Sequence, residues 1–208
     1  MIFDKDCRAC PRLATFLDEV GQRHPDYHCR PVPPFGDPGA RFLIVGLAPG
    51  MHGANRTGRP FTGDHAGLLL YRMLHKYGFA TRGESLSSDD GLELIDCRIT
   101  NAVKCLPPGN KPVGAEINTC NAFLANELAL LQAGSVVMAL GGIAHRAIVK
   151  AKGERQADYK FAHAAVHELG GVRLLDSYHC SRYNTNTGRL TEPMFDAIFA
   201  EARELLDK

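Results

Sequence analysis

The sequence predicts a single three-layer α/β/α domain over residues 1–208, built on a central, mostly parallel sheet of four strands. Four short runs, at 42–47, 97–103, 136–140 and 172–178, read as strands, and the first and third have the continuous hydrophobicity of strands covered on both faces. The segments between them carry apolar residues at helical spacing, and that alternation implies parallel pairing. Neither an internal repeat nor a linker interrupts the 208 residues, and a hydrophobic content of 45% suffices for a core.

The elements follow in order. Pro11, Leu13, Phe16, Leu17 and Val20 recur at helical spacing, with proline suited to a first turn. Residues 30–39 are rich in proline and glycine and are expected to cross the surface without regular structure. After the first strand, residues 46–64 (GLAPGMHGANRTGRPFTGD) form a long loop to a helix whose apolar face is Leu68, Leu69, Leu70, Met73 and Leu74. Polar residues 81–91 read as a surface loop before the second strand. A loop at 106–114 precedes a helix at 116–131, favoured by its alanine, leucine and glutamate content. The third strand ends at Gly141-Gly142, which opens a short helix at 143–150, and a polar loop fills 152–160. The last strand releases the chain into 179–191, and Pro193 starts a closing helix that runs to Leu206.

No run of about 18 uninterrupted apolar residues is present, so no membrane span is expected. Residues 1–10 carry Asp4, Lys5, Asp6 and Arg8 without an apolar leader, which makes a reducing cytoplasm the expected compartment. The net charge of +1 says little about partners, but its distribution says more. Stretches 38–63 (Arg41, Arg56, Arg59), 98–115 (Arg98, Lys104, Lys111) and 177–191 (Arg182, Arg189) hold basic residues and no acid. Basic loops around a cleft suit phosphate backbones; chance clustering on a solvated face is the plainer account of charge taken alone.

Of seven cysteines, Cys7 and Cys10 have C-x₂-C spacing, and Cys105 and Cys120 bracket the 106–114 loop. Two ligands from each pair would form a four-thiolate site tying the first helix to the middle of the chain. Spacing alone leaves an iron–sulfur cluster and zinc both open. A redox pair is disfavoured, because Cys7 and Cys10 do not sit at a strand-to-helix turn. Cys29 and Cys97 are expected to be packing thiols.

Three loops leaving strands carry the unusual polar residues: 46–64, 100–104 and 177–190. In open α/β sheets such loops line the ligand crevice at the carboxyl ends of the strands. Phe61, Asp64, Asn101 and His179 would then surround one cleft, and an aromatic face, a carboxylate, an amide and an imidazole together suit a planar heterocycle.

With GLAPG-x-HGANRTGRPFTGD (46–64), TNAVKC (100–105), SYHCSRYNTNTGRLT (177–191) and the cysteine pairs in view, the chain resembles the uracil-DNA glycosylase superfamily, most closely its family 5 (UDGb type). The resemblance runs from Cys7 to Phe199 and implies a monofunctional, monomeric glycosylase that removes uracil, and other deaminated bases such as hypoxanthine, from DNA. It implies a [4Fe–4S] cluster on Cys7, Cys10, Cys105 and Cys120. It matches Phe61 to the aromatic that stacks on the flipped base, Asn101 to the amide that reads its edge, and His179 to a donor toward a carbonyl of the leaving base. Gly46, Ala48 and Gly50 fall in the motif whose backbone N–H groups face the base.

The chain also departs from the wider superfamily. Several branches place a water-orienting Asp, Asn or Glu where this chain has Leu47 or Ala48, a lack shared by family 5. Asp64 is the nearest carboxylate for that role and is assigned it, and the same residue can also cap the helix that follows. Cys180 stands where relatives commonly have proline. His52 and Asn55 are expected at the rim, and Arg56, Arg59, Arg182 and Arg189 are candidates for phosphate contact.

Overall fold

The computed structural model describes residues 3–208. Its sheet contains the four expected strands, which the chain visits as β2 (Phe42–Gly46), β3 (Cys97–Asn101), β4 (Val136–Leu140) and β6 (Val172–Ser177), all mutually parallel. Two antiparallel edge strands, β1 (Phe35–Gly36) and β5 (Val166–Leu169), correct the expected count of four to six. The order across the sheet is β1-β3-β2-β4-β6-β5. β1 lies inside the stretch expected to be irregular, and its two residues are too few to leave a pattern. β5 turns into β6 through Gly170 and Gly171, both at positive φ (53° and 87°). That is the hairpin signal of a two-residue glycine turn, masked by the weak alternation of a mostly exposed edge strand.

The inner strands are buried on both faces, and alternate residues enter two cores. Phe42, Ile44, Ile99 and Met138 meet α3 (His65–Lys76) and α7 (Glu192–Asp207) through Leu70, Leu74, Phe195 and Phe199. Leu43, Val45, Val137 and Leu174 meet α4 (Gly114–Ala129) and α5 (Gly142–Ala151) through Leu124, Leu128 and Ile148. This period of two is what a sheet covered on both faces requires. α1 (Pro11–Arg23) packs Leu13, Leu17 and Val20 beside Val103, Leu106 and Phe123, bringing the N-terminal segment to the 102–106 turn. Two short α-helical turns, α2 (Ala54–Thr57) and α6 (Arg182–Asn186), lie inside segments expected to be loops. Among the described residues no helix is long and apolar enough to cross a membrane.

A buried polar pair anchors the end of β6. His145 places Nδ1 2.8 Å from Asp176 Oδ1 and Nε2 3.0 Å from the Tyr159 carbonyl oxygen, while His167 Nε2 lies 3.4 Å from Asp176 Oδ2. Both contacts of His145 are to acceptors, so the ring satisfies both when doubly protonated. Burial alone would lower its pKa; the hydrogen bond and charge of Asp176 outweigh that, and the net shift is upward from 6.5. The pair's stabilisation is therefore complete below the unfolded value and is lost as pH rises through the raised folded one. In urea unfolding, the wild type's margin over His145→Gln is expected to shrink as pH rises above neutrality. A margin that stays constant would mean a neutral ring.

Candidate active site

The carboxyl ends of β2, β3, β4 and β6 open into a cleft of about 1030 Å³, lined by Ala48, Gly50, Phe61, Asp64, Asn101 and His179 among others. The expected convergence is thus present, with Gly46 directly behind the wall. A Cβ at Gly46 would run into Asn101 Oδ1 and come within 2.5 Å of Phe61 Cζ, so this strand-end glycine lets an amide and a ring close over backbone. Phe61 itself is buried with φ 54°, a left-handed conformation unfavourable for an aromatic residue. Its carbonyl oxygen occupies the space a side chain at Gly67 would need.

Asn101 is buried, and its Oδ1 has no partner within the protein. An orphaned acceptor on a cleft wall is free to accept from a group that enters the cleft. The backbone beneath it is fixed by Lys104, which, far from lying on a basic surface, is fully buried. Its Nζ donates to the Asn101 carbonyl (2.9 Å), to Glu127 Oε1 (2.7 Å) and to Thr100 Oγ1. Removing one partner strands the other as a buried charge. Lys104→Met is expected to cost about 3–5 kcal/mol in urea unfolding and to loosen Asn101; a loss below about 1 kcal/mol would place the pair in solvent.

Asp64 caps α3 with Oδ1, which accepts from Gly67 N at 2.9 Å. Its Oδ2 sits against the backbone of Gly50 and Gly53, which have no side chain to fill that space. The two oxygens can therefore do different work. Burial raises the Asp64 pKa, and the amides of Gly67 and Ala66 only partly oppose it. His179 approaches from the other side, its ring 5.9 Å from that of Phe61 and its carbonyl held by Asn184 Nδ2 at 2.8 Å. Nδ1 of His179 is buried without a partner, and burial depresses the ring pKa to about 4. At neutral pH this is an uncharged imidazole with one N–H to offer. Cys180 is tucked into the core, its thiol 3.5 Å from the Ala66 carbonyl, so the loop entry beside His179 is packed against the start of α3.

Two expectations are overturned. Arg59 does not reach outward: it is 5% exposed, ion-paired with Asp90 at 2.7 Å, bonded to Ser85 Oγ and the Ser88 carbonyl, and stacked over Phe35. Burial and full internal pairing exclude it from phosphate contact. Asn55 is also buried, donating to Cys29 Sγ at 3.5 Å, and does not line the cleft. The basic stretches shrink further, since Arg41 pairs with Asp96 and Arg98 donates to the Gly36 carbonyl. Arg56 and Arg182 are exposed on the cleft and form no ion pair among the described residues. Arg189 lies farther out, its guanidinium 4.8 Å from the Tyr178 ring centre. His52 lines the cleft and bonds Tyr27 Oη at 2.9 Å. The sequence reading missed Gly141, Gly142 and His65 as cleft residues; a glycine pair at the end of a central strand was the available signal for the first two.

Cys7, Cys10, Cys105 and Cys120 gather with Leu13, Val103 and Phe123 around a separate cavity of about 70 Å³. Burial, reinforced by the neighbouring thiols, pushes Cys105 up to about 12; burial likewise pushes Cys120 up to about 11, although the Lys104 amide donates to its sulfur. Among the described residues the one group of three ligand atoms within 4.8 Å of one another is His145, His167 and Asp176, so the thiols are more widely spaced than that.

The fold and the cleft together define a class: a mostly parallel α/β sheet with a polar cleft at the carboxyl ends of its strands, where such folds bind ligands. Comparison with known proteins sharpens it. The model of the uracil DNA glycosylase superfamily matches residues 33–203. A type-5 uracil-DNA glycosylase of Thermus thermophilus is 49% identical over 96% of this chain and 93% of its own length. One from Mycobacterium leprae is 44% identical over 96% and 91%, and a type-4 uracil-DNA glycosylase of Thermotoga maritima is 31% identical over 85% and 77%. The chain belongs to the uracil DNA glycosylase superfamily, and within it to the type-5 group.

Proposed function

We propose that the chain hydrolyses the N-glycosidic bond of uracil in DNA, and of other deaminated bases such as hypoxanthine, leaving an abasic site. The observation that carries this reading is the unpartnered Asn101 Oδ1 on a cleft wall shared with Phe61, Asp64 and His179. The nucleotide must leave the stack for its glycosidic bond to be reached. Phe61 then offers a stacking face, Asn101 Oδ1 accepts the ring N–H, and neutral His179 donates to a base carbonyl as negative charge grows there. Asp64 Oδ2 orients the attacking water and takes its proton. The water oxygen bonds to the sugar C1′ as the C1′–N bond breaks, and its electron pair leaves with the base. The carboxylate also faces the positive charge that develops on an oxocarbenium-like sugar. The cleft volume leaves room for a purine, which supports the wider base range. Arg56, Arg182 and, at the margin, Arg189 would meet the phosphates.

A duplex with one uracil, incubated with the protein and then cleaved by alkali at abasic sites, tests the reading; a panel with hypoxanthine and xanthine sets its breadth. An uncut strand across the panel would sink it. Binding without cutting would favour the competing reading, a non-catalytic iron–sulfur protein that holds damaged or single-stranded DNA.

We further infer a structural [4Fe–4S] cluster on Cys7, Cys10, Cys105 and Cys120. One buried and three half-buried thiols gathered at one cavity are a donor set that binds such a group as thiolates, and no three of the four sulfurs lie within 4.8 Å of one another, whereas a tetrahedral zinc at about 2.3 Å would hold them about 3.8 Å apart. When bound, the cluster would supply a cross-link between α1 and the middle of the chain. Anaerobically purified protein is expected to carry about four irons per chain with matching sulfide; one zinc per chain, or no metal, would refute the assignment.

A further inference from the structure

Asp176 is fully buried near the end of β6, where His145 of α5 and His167 of the edge strand β5 close on it, one at each carboxylate oxygen. His145 Nε2 lies 3.0 Å from the Tyr159 carbonyl oxygen, and a carbonyl can only accept, so this nitrogen carries hydrogen. Nδ1 faces Asp176 Oδ1 at 2.8 Å, and two acceptors approach so closely only with a positive charge between them. A proton can fill that role at the first contact. It leaves the second unserved: His167 Nε2 is buried without a hydrogen-bond partner, 3.4 Å from Asp176 Oδ2.

One divalent cation would serve all three side chains together. Their ligand atoms lie within 4.8 Å of one another, and the contacts of 2.8 and 3.4 Å fall on either side of the roughly 3.3 Å that separates ligands on a tetrahedral zinc. The Nε2–H bond to the Tyr159 carbonyl is the kind of support that fixes a metal-bound imidazole. Phe161 stands edge-on to the His145 ring at 5.7 Å, and Tyr159 to that of His167 at 5.9 Å, so aromatic rings wall the group. Two imidazoles and one carboxylate suit zinc better than calcium or magnesium, which prefer oxygen alone. The three ligands come from a helix and two strands, and the fold therefore sets their positions.

We propose that His145, His167 and Asp176 form a zinc site, with water as the fourth ligand, that ties α5 and β5 to the end of β6. The ion would brace the strand that leads into His179, which the bond from Gly141 N to the Ser177 carbonyl (2.8 Å) already joins to the start of α5. In metal-free protein the proton remains at the first contact. The site is distinct from the four cysteines and does not rest on the glycosylase reading. Anaerobically purified protein, incubated with zinc chloride and freed of excess by gel filtration, is expected to hold about one zinc per chain in addition to its iron and to melt at a higher temperature. His167→Gln, at a half-buried position on an edge strand, is expected to fold. It should bind zinc at least about tenfold more weakly, since even the groups that support a metal ligand are worth about 10–100-fold, and its melting temperature should no longer respond to zinc. Asp176→Asn should abolish uptake; if that variant fails to fold, His167→Gln decides. With cobalt(II) as the probe, the wild type should show visible d–d bands without the thiolate charge-transfer band of a cysteine site. No added zinc in the wild type, undiminished binding in His167→Gln, or a cobalt spectrum dominated by thiolate would overturn the site.

Discussion

Replacing Asp64 by Asn is expected to slow uracil excision by about two to four orders of magnitude, the range for loss of a positioned general base, while leaving the fold intact. Asparagine caps helices as well as aspartate does, so the bond from Gly67 N to Oδ1 can persist. Only the proton acceptor at Oδ2 is lost. The burial that raises the Asp64 pKa also means that its ionised form opposes folding at neutral pH, so the melting temperature of Asp64→Asn should equal or exceed that of the wild type. In the proposed mechanism the active form is the carboxylate. The wild-type rate should therefore fall as pH drops through a pKa above the ordinary 3.8, and the variant should lack that limb. Asp64→Ala should add a loss of about 1 kcal/mol in stability from the missing cap. Near-normal excision by Asp64→Asn, measured in single turnover, would reduce Asp64 to a helix cap.

His179→Ala is expected to cost about 10²–10³ in the chemical rate, the usual effect of deleting one donor aimed at developing charge. Substrate binding should change far less, because the hydrogen bond strengthens only as the base leaves. With its pKa depressed to about 4, the ring is neutral throughout the physiological range and contributes no acid limb near 6.5. His179→Gln, which keeps a neutral donor, should retain more activity than His179→Ala. A rate that follows an imidazolium titration between about pH 6 and 7 would contradict this picture, as would equal losses in the two variants.

β2 and β4 were legible because they are buried on both faces and read as continuous apolar runs, and β3 and β6, interrupted by Arg98 and by Arg173 and Asp176, were legible from their place between helical segments. The convergence of Phe61, Asp64, Asn101 and His179 was legible for a related reason: each follows a strand whose end could be placed. What was hidden depends on pairing across distance. Phe35 and Gly36 become a strand only by meeting Ile99 and Arg98. Arg59 looks like a free cation until Asp90 closes on it, and Lys104 until Glu127 does. A charged residue in an acid-free stretch of sequence carries no mark of the acid that folding brings to it.

The order β3-β2-β4-β6 has one more consequence. The cleft's working groups come from the ends of three of those strands, β2, β3 and β6, while Gly141 and Gly142 follow the fourth, β4. Each parallel neighbour is reached only through a crossover, so no stretch of chain shorter than nearly the whole sheet holds the complete site. Such long-range pairings form late and together. Catalysis should thus behave as an all-or-none reporter of folding: in a denaturant series the excision rate should track the fraction of folded chains, and neither half of a chain split between β3 and β4 should cut DNA alone.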